Sequence, residues 1–286
     1  MDDDDLDDLL PEPAPDLVQA LKKGNVVAVV GSGLSCAAGF PGWVELIQGI
    51  CEEAWSTHKG QRQAIADAWQ EIGSGQLLQA ANLLKQDVLR QDFAGALGRQ
   101  LRFRRRFEAR PGPPGQTVAG PRLEKPWQVT EGPREIKPVP TTSHRMLMQI
   151  GLRCVITTNY DDLLEDAGTD IRAYSWSSAD VPGLLAANKP MVLKVHGDLN
   201  HPGDIIAARA DYTTGPYMNS PTRGALGSLL QISQPLWIGY GHNDPDLDLF
   251  LDEMTRLKVS GGYAIVPEIT RSLRLRLKVH TRPATS

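Results

Sequence analysis

The sequence predicts an α/β fold in which helices flank a parallel sheet, and three observations support this class. Val26–Val30 is a continuous apolar run, VVAVV, bounded by glycine, which is typical of a strand buried on both faces. Similar runs alternate with segments of helical periodicity along the chain, as strands and crossover helices do in a parallel sheet. Polar, motif-like residues follow several of the runs, at the strand ends where open α/β sheets bind their ligands.

The N-terminal third is predicted to be helical apart from this first strand. Residues 1–15 are acidic and then rich in proline, so we expect them to be disordered. Helices are predicted at residues 16–23, 44–55, 61–73, 77–90 and 92–107. The basic run at 102–106 is interpreted as the solvated end of the last of these helices. The helices within about residues 56–107 are expected to form a smaller module beside the sheet.

The second half of the chain returns to alternating strands and helices after a long interruption. Residues 108–140 are dense in proline and glycine without any period, which predicts an exposed loop or insert. Strands are predicted at 154–157, 191–195, 236–239 and 263–266, and helices at 144–150, 161–166 and 246–257. We therefore expect one main domain over residues 16–268, followed by a C-terminal tail at 269–286.

Composition narrows the functional class. The chain has 286 residues, of which 41% are hydrophobic, so it is long enough to bury a sizeable core. A net charge of −4 without clustered lysine and arginine argues against direct nucleic-acid binding. Neither a signal peptide nor an apolar run long enough for a membrane span is present, and the three cysteines lack the spacing of a structural zinc site. We therefore expect a soluble, cytoplasmic protein without zinc.

The first motif, GSGLSCAAGFPGW at residues 31–43, follows the first strand. A glycine turn between strand and helix lets backbone N–H groups approach a pyrophosphate, and the helix N-terminus favours its negative charge. Cys36 occupies the third glycine position of the dinucleotide fingerprint GxGxxG, so the fingerprint is incomplete. Taken alone, the loop is compatible with a phosphate cradle or with a tight turn that binds no ligand.

The second motif is TTNYD at residues 157–161, between a predicted strand and a predicted helix. Thr158 or Asn159 could simply cap that helix, with Asp161 in its first turn. The functional alternative is that Asn159 presents its amide to a sugar hydroxyl or an attacking water. In that interpretation Asp161 accepts hydrogen bonds from the N–H groups of a carboxamide.

The third motif, KVHGD at residues 194–198, places a histidine at the end of a strand. His196 is therefore expected to titrate near neutral pH and to be available as a general base, although a purely structural histidine is also compatible with the pattern. The other histidines show no metal-binding spacing. The fourth motif, IGYGHNDPD at residues 238–246, is either a glycine turn against the ribose or adenine of a ligand or a helix start capped by Asp244.

In this order and spacing, the four motifs, with Asp211-Tyr212 between the third and the fourth, resemble the Sir2-like domains of bacterial antiviral defence proteins. The resemblance covers about residues 16–268. It implies a Rossmann-like NAD-binding domain with a smaller helical module, and hydrolysis of NAD+ as the activity. It also implies that Asn159 and His196 are the catalytic pair and that Asp161 contacts the nicotinamide amide. The other cofactor-binding residues that it implies are Gly31, Ser32, Gly33, Ser35, Trp43, Gly239 and Tyr240.

Several departures separate the chain from the deacetylase members of this superfamily. Residues 41–44 read PGWV where those enzymes have PDFR, residues 239–241 replace their glycine-threonine-serine turn, and their four zinc cysteines have no counterpart here. We therefore expect no zinc ribbon and prefer NAD+ cleavage without an acyl acceptor. A non-catalytic NAD sensor and, with weaker support, a deacylase or ADP-ribosyltransferase remain the alternatives. The resemblance further implies control by assembly, either as a homo-oligomer or with a partner defence protein.

Overall fold

The computed structural model describes residues 12–102, 139–213, 220–240 and 262–265. Most of the predicted N-terminal disordered segment, nearly all of the proline- and glycine-rich insert, the helix predicted at 246–257 and the C-terminal tail lie outside these residues. The predictions made for those segments stay predictions.

Six strands form one sheet in which every pair of neighbours is parallel, in the order β3-β4-β2-β1-β5-β6. The strands are β1 Val26–Val30, β2 Cys154–Thr157, β3 Ala173–Ser175, β4 Val192–Lys194, β5 Gln234–Ile238 and β6 Tyr263–Ile265. All residues of β1, β2 and β4 are buried, as expected for central strands covered on both faces. The predicted α/β class with a parallel sheet and flanking helices is confirmed.

Helices cover the sheet and also form a separate layer. They are α1 Pro15–Lys22, α2 Ser32–Cys36, α3 Trp43–Thr57, α4 Arg62–Gly73, α5 Leu77–Leu83, α6 Phe93–Arg102, α7 Thr142–Gln149, α8 Leu163–Ala167, α9 Val181–Ala186, α10 Arg209–Thr213 and α11 Pro221–Ile232. A π-helical turn, Leu84–Leu89, continues α5. Short 3₁₀ turns lie at Lys59–Gln61, Arg90–Asp92 and Pro202–Asp204. None of the helices in the described ranges has the length and apolar character needed to cross a membrane.

The helical layer, which we define as α3 to α6 with the π-helical turn, has its own apolar core. Ile47, Ile65 and Phe93 are almost completely buried within it. This core also takes in Tyr160, from the loop after β2, and Ile205, from the segment after β4. The layer therefore packs directly on the loops that leave the carboxyl edge of the sheet.

Strand register places the ends of four strands side by side. Val30 at the end of β1 pairs with Thr157 of β2 on one side and with Ile238 of β5 on the other. Thr157 in turn pairs with Lys194 at the end of β4. Because these strands are parallel and neighbours lie about 4.8 Å apart, the four sequence motifs all begin at the same edge of the sheet.

Some elements differ from the sequence prediction for local reasons. The predicted helix at 161–166 begins only at Leu163, because the Asp161 carboxylate accepts the Leu163 N–H (3.1 Å) in a preceding turn. The predicted helix at 77–90 changes to π-helical geometry after Leu83. Strand β3 and helices α9 and α11 were not predicted. β3 is a three-residue, half-buried strand without an apolar run, and two glycines interrupt the periodicity of α11.

Candidate active site

An open cleft lies at the carboxyl edge of the sheet. One part of its lining is apolar and comes from the segment after α2 and from the helical layer. The other part is polar and comes from the first two sequence motifs. The lining residues are Ser32, Ser35, Phe40, Pro41, Trp43, Leu46, Leu101, Thr158, Asn159, Tyr160 and Asp161. An apolar cleft with a few convergent polar groups is the usual form of a small-molecule site.

Asn159 is held in one orientation by the loop that follows β1. Its Nδ2 group donates to the Gly31 carbonyl (3.1 Å) and to Ser35 Oγ (2.9 Å). A carbonyl oxygen can only accept, so the atom facing Gly31 must be the amide nitrogen. Within the part of the chain that the structure describes, Oδ1 has no hydrogen-bond partner. Both N–H groups of the Asn159 amide are therefore already bonded, and its oxygen remains available as a hydrogen-bond acceptor.

Ser35 connects Asn159 to Asp161. The serine hydroxyl accepts from Asn159 Nδ2 and is hydrogen-bonded to the Asp161 side chain. Since a carboxylate can only accept, Ser35 donates to it, and the three side chains form a directed chain. Burial raises the pKa of Asp161, while the bonds from Ser35 and from the Leu163 N–H oppose that shift. Three of the residues predicted to form the site are thus connected within it.

The glycines of the first motif pack against the turn after β5. Gly33 N–H donates to the Gly239 carbonyl (2.7 Å), and Gly31 N–H donates to the Ile238 carbonyl (2.9 Å). A Cβ on Gly33 would lie 2.5 Å from the Gly239 oxygen, so the two loops can approach only without one. Both amides are thereby used inside the protein. The contacts with a pyrophosphate that the sequence suggested for Gly31 and Gly33 stay a prediction.

Tyr240 and Trp43 occupy different surroundings, although both are predicted to bind the cofactor. Tyr240 is buried beside Thr158, with 3.4 Å between the two hydroxyl oxygens, and packs edge-to-face on Trp237. It does not belong to the cleft lining. Trp43 does line the cleft, and its indole N–H is buried without a hydrogen-bond partner among the described residues. An unpaired buried donor is costly, and this N–H is enclosed by the protein.

His196 lies beside this site but is not part of the cleft lining. His196 comes two positions after Lys194 of β4, just as Asn159 comes two positions after Thr157, and Lys194 and Thr157 are register partners. The ring is 3% exposed, and burial lowers its pKa to about 3, with a weak opposing effect from Asp211. The expectation that His196 titrates near neutral pH is therefore wrong, because desolvation favours the neutral imidazole. A neutral imidazole still has an acceptor nitrogen for a hydrogen bond, but a pKa this low does not suit the general base that the sequence suggested.

The role of Lys194 was not predicted from the sequence. This lysine is fully buried, and its ammonium group contacts Asp162 (2.8 Å), Glu165 (2.6 Å) and Asp198 (2.8 Å). Burial raises the pKa of Glu165 to about 7, although Lys194 opposes that shift. The lysine links the loop and helix after Asn159 to the loop after His196. The signal in the sequence was a charged residue inside a buried strand, which requires partners.

Metal binding has one potential location among the described residues. Asp162, Glu165 and Asp198 converge closely enough to hold a cation together. The Lys194 ammonium contacts all three carboxylates, so it already supplies the positive charge there. The expectation of a protein without zinc stays a prediction.

Replacing Gly239 with alanine is expected to destabilise the junction between the two glycine loops by about 2–3 kcal/mol. Gly239 has φ +73°, and a Cβ there would lie 2.5 Å from the Leu34 amide nitrogen. Gly224→Ala is the matched control, because Gly224 lies inside α11 and a Cβ there meets nothing within 4 Å. That control should gain up to about 1 kcal/mol. Urea unfolding of both variants measures the difference, and equal stabilities would contradict the packing described here.

Comparison with known proteins agrees with the motif resemblance. Residues 153–281 match the sequence profile of the SIR2-like domain. The matched span includes Asn159, Asp161, His196, Gly239 and Tyr240, whereas the glycine loop after β1 precedes it. Together with the parallel α/β sheet, this match shows that residues 153–281 are similar to the SIR2-like domain.

The curated relatives narrow the comparison within that class. The chain is 30% identical over 118 residues to the NAD(+) hydrolase ThsA of Acinetobacter baumannii (strain 532279), which is 40% of this chain and 24% of the relative. It is 27% identical over 117 residues to the protein of the same name from Bacillus cereus (strain MSX-D12), covering 40% and 25%. The protein of that name from Cytobacillus dafuensis is 28% identical over 123 residues, covering 42% and 25%. These alignments thus span about a quarter of the length of each relative.

Proposed function

We propose that this protein is an NAD+ glycohydrolase, which uses water to cleave the bond between nicotinamide and ribose and releases nicotinamide, ADP-ribose and a proton. The observation that carries the proposal is the orientation of Asn159. Its two N–H groups are bonded to Gly31 and Ser35, and its amide oxygen is left as an acceptor at the cleft. The names of the relatives, all NAD(+) hydrolases, support the same substrate.

Cleavage of the bond between nicotinamide and ribose requires little acid catalysis. Nicotinamide departs from a cationic pyridinium and becomes neutral as it leaves, while the ribose passes through an oxocarbenium-like transition state. In our proposal Asn159 Oδ1 accepts a hydrogen bond from the attacking water or from a ribose hydroxyl and orients it. His196, which is neutral because it is buried, stabilises charge by accepting a hydrogen bond from a ribose hydroxyl.

The remaining cleft residues are proposed to bind the ends of the substrate. Asp161, at the end of the Asn159–Ser35 chain, would accept the N–H groups of the nicotinamide carboxamide. Trp43 offers a flat apolar ring at the cleft, which suits an aromatic ligand. Ser32 and the turn formed by Gly239 and Tyr240 would contact the rest of the dinucleotide.

The biological role is also a proposal and rests on the motif resemblance. Unrestrained hydrolysis of NAD+ would deplete a cell of the cofactor, so we propose that this activity serves antiviral defence. Control would come from assembly, as a homo-oligomer or with a partner defence protein.

The experiment that tests the proposed function is an NAD+ consumption assay with product identification by chromatography and mass spectrometry. It is run on the protein alone and with the products of its neighbouring genes. Equimolar nicotinamide and ADP-ribose are the expected products. Binding of NAD+ without turnover in both settings would favour a sensor instead. Release of nicotinamide that depends on an added acyl-lysine peptide would favour a deacylase.

A further inference from the structure

The contacts of His196 include Tyr212 of α10, whose neighbour Asp211 is bonded to the helical layer. The Tyr212 hydroxyl lies 3.1 Å from His196 Nε2 and 3.4 Å from Nδ1, and the two rings meet edge-to-face at 82° with centroids 5.4 Å apart. The shorter contact is a normal hydrogen-bond distance. A neutral imidazole has one donor nitrogen and one acceptor nitrogen, and the tyrosine hydroxyl can pair with either. The contact therefore orients the ring, and its loss should change the balance between the two tautomers.

Tyr212 is held in place by the residue before it. Asp211 Oδ2 accepts the Ala207 N–H (3.0 Å) and the Ala208 N–H (2.9 Å), so its carboxylate organises the turn that starts α10. Tyr212 itself packs on the buried side chains of Trp176 and Ile206. The position of the hydroxyl therefore depends on how firmly this short segment is fixed.

The positive charge that holds Asp211 in place comes from the helical layer. Lys85 Nζ contacts both carboxylate oxygens of Asp211, at 2.8 Å and 2.9 Å, and also donates to the Ile205 carbonyl (3.2 Å). Lys85 lies in the π-helical turn after α5, and such turns are rare and frequent at functional sites. Lys85 is separated from Asp211 by 126 positions in the chain, so this contact joins two distant parts of the sequence.

We propose that Tyr212 is a positioning residue for His196 and that the Lys85–Asp211 ion pair is the tether that sets its position. The kinetic readout of this inference rests on the proposed NAD+ hydrolysis. The expected effect on the His196 ring can be measured whether or not NAD+ is hydrolysed. The helical layer thereby acts on the imidazole through two contacts, Lys85–Asp211 and Tyr212–His196, which the peptide chain joins, although Lys85 does not line the cleft. Any partner that moves this layer would reach His196 through the same chain.

Tyr212→Phe tests the first contact, because it removes one hydroxyl and keeps the ring. We expect kcat for nicotinamide release to fall about tenfold, the equivalent of one hydrogen bond, with little change in the KM for NAD+. In ¹⁵N NMR spectra, the His196 ring nitrogens, identified by their loss in His196→Ala, should shift as the tautomer balance changes. The NMR spectrum can be recorded without turnover. If the protein had no NADase activity, the proposed function would be wrong, and the shift of the His196 signals would still test this inference.

Lys85 variants test the tether. Lys85→Met should lower kcat about fivefold, as expected for a part-exposed ion pair, and shift the same His196 signals. Lys85→Arg keeps the charge and should restore both readouts towards wild type. Lys59→Met removes an exposed lysine elsewhere in the helical layer and should change neither. Unchanged His196 signals in both Tyr212→Phe and Lys85→Met would overturn the proposal, as would a Lys59→Met effect of equal size.

Discussion

Asn159→Ala is expected to lower kcat for nicotinamide release by about 10²–10³-fold, the usual effect of removing one preorganised polar group at a reacting centre. The variant loses the amide oxygen that we propose to orient the water or the ribose hydroxyl. KM should change less than kcat, because this contact matters most when charge develops on the ribose. Initial rates over a range of NAD+ concentrations measure both constants.

The same substitution also removes two internal hydrogen bonds, so stability must be measured beside activity. The Gly31 carbonyl and Ser35 Oγ each lose a donor, which should cost about 1–3 kcal/mol. Asn82→Ala is a matched control. Asn82 is an asparagine of the helical layer outside the cleft lining, and its amide oxygen is buried without a partner among the described residues. Wild-type rates are expected for Asn82→Ala. Wild-type rates for a folded Asn159→Ala protein would refute the assignment.

The sequence predicted most reliably what is encoded locally. Val26–Val30 and Cys154–Thr157 were predicted with the bounds that the structure has, because uninterrupted apolar runs are sufficient to specify buried central strands. Strand ends with polar motifs also indicated which edge of the sheet holds the cleft. The half-buried strand β3 has no such pattern, and it is formed only because β4 offers a partner.

Contacts between distant segments could not be predicted in the same way. The Gly33 amide is used by Gly239, a residue more than two hundred positions away, and no local pattern indicates this. The pKa of His196 depends on burial by residues such as Tyr212, so its motif suggested a titrating group where the structure has a neutral one. The ion pairs of Lys194 could have been predicted, since a lysine within MVLKV is a local signal that carboxylates must lie nearby.

Lys194→Met is the second large expected effect, a loss of about 3–5 kcal/mol of folding stability at neutral pH. The substitution keeps most of the side-chain volume and removes the cation shared by Asp162, Glu165 and Asp198. Partly buried carboxylates are then left without a counter-charge. Because they come from the segments that follow Asn159 and His196, activity should fall together with stability. Urea unfolding followed by tryptophan fluorescence measures the change.

The pH dependence separates the charge of Lys194 from its packing. The folded-state pKa of Glu165, about 7, is above its usual value of 4.5, so folding favours its protonated form and stability falls as pH rises between these values. Without Lys194 the pKa of Glu165 should rise further, because the lysine opposes the effect of burial, and the loss in Lys194→Met should be larger at pH 8 than at pH 5. Glu165→Gln is the matched control and should flatten the wild-type profile at a cost below about 1 kcal/mol. If Lys194→Met lost the same stability at both pH values, the lysine would act through its packing, and the proposed charge linkage between the two loops would be wrong.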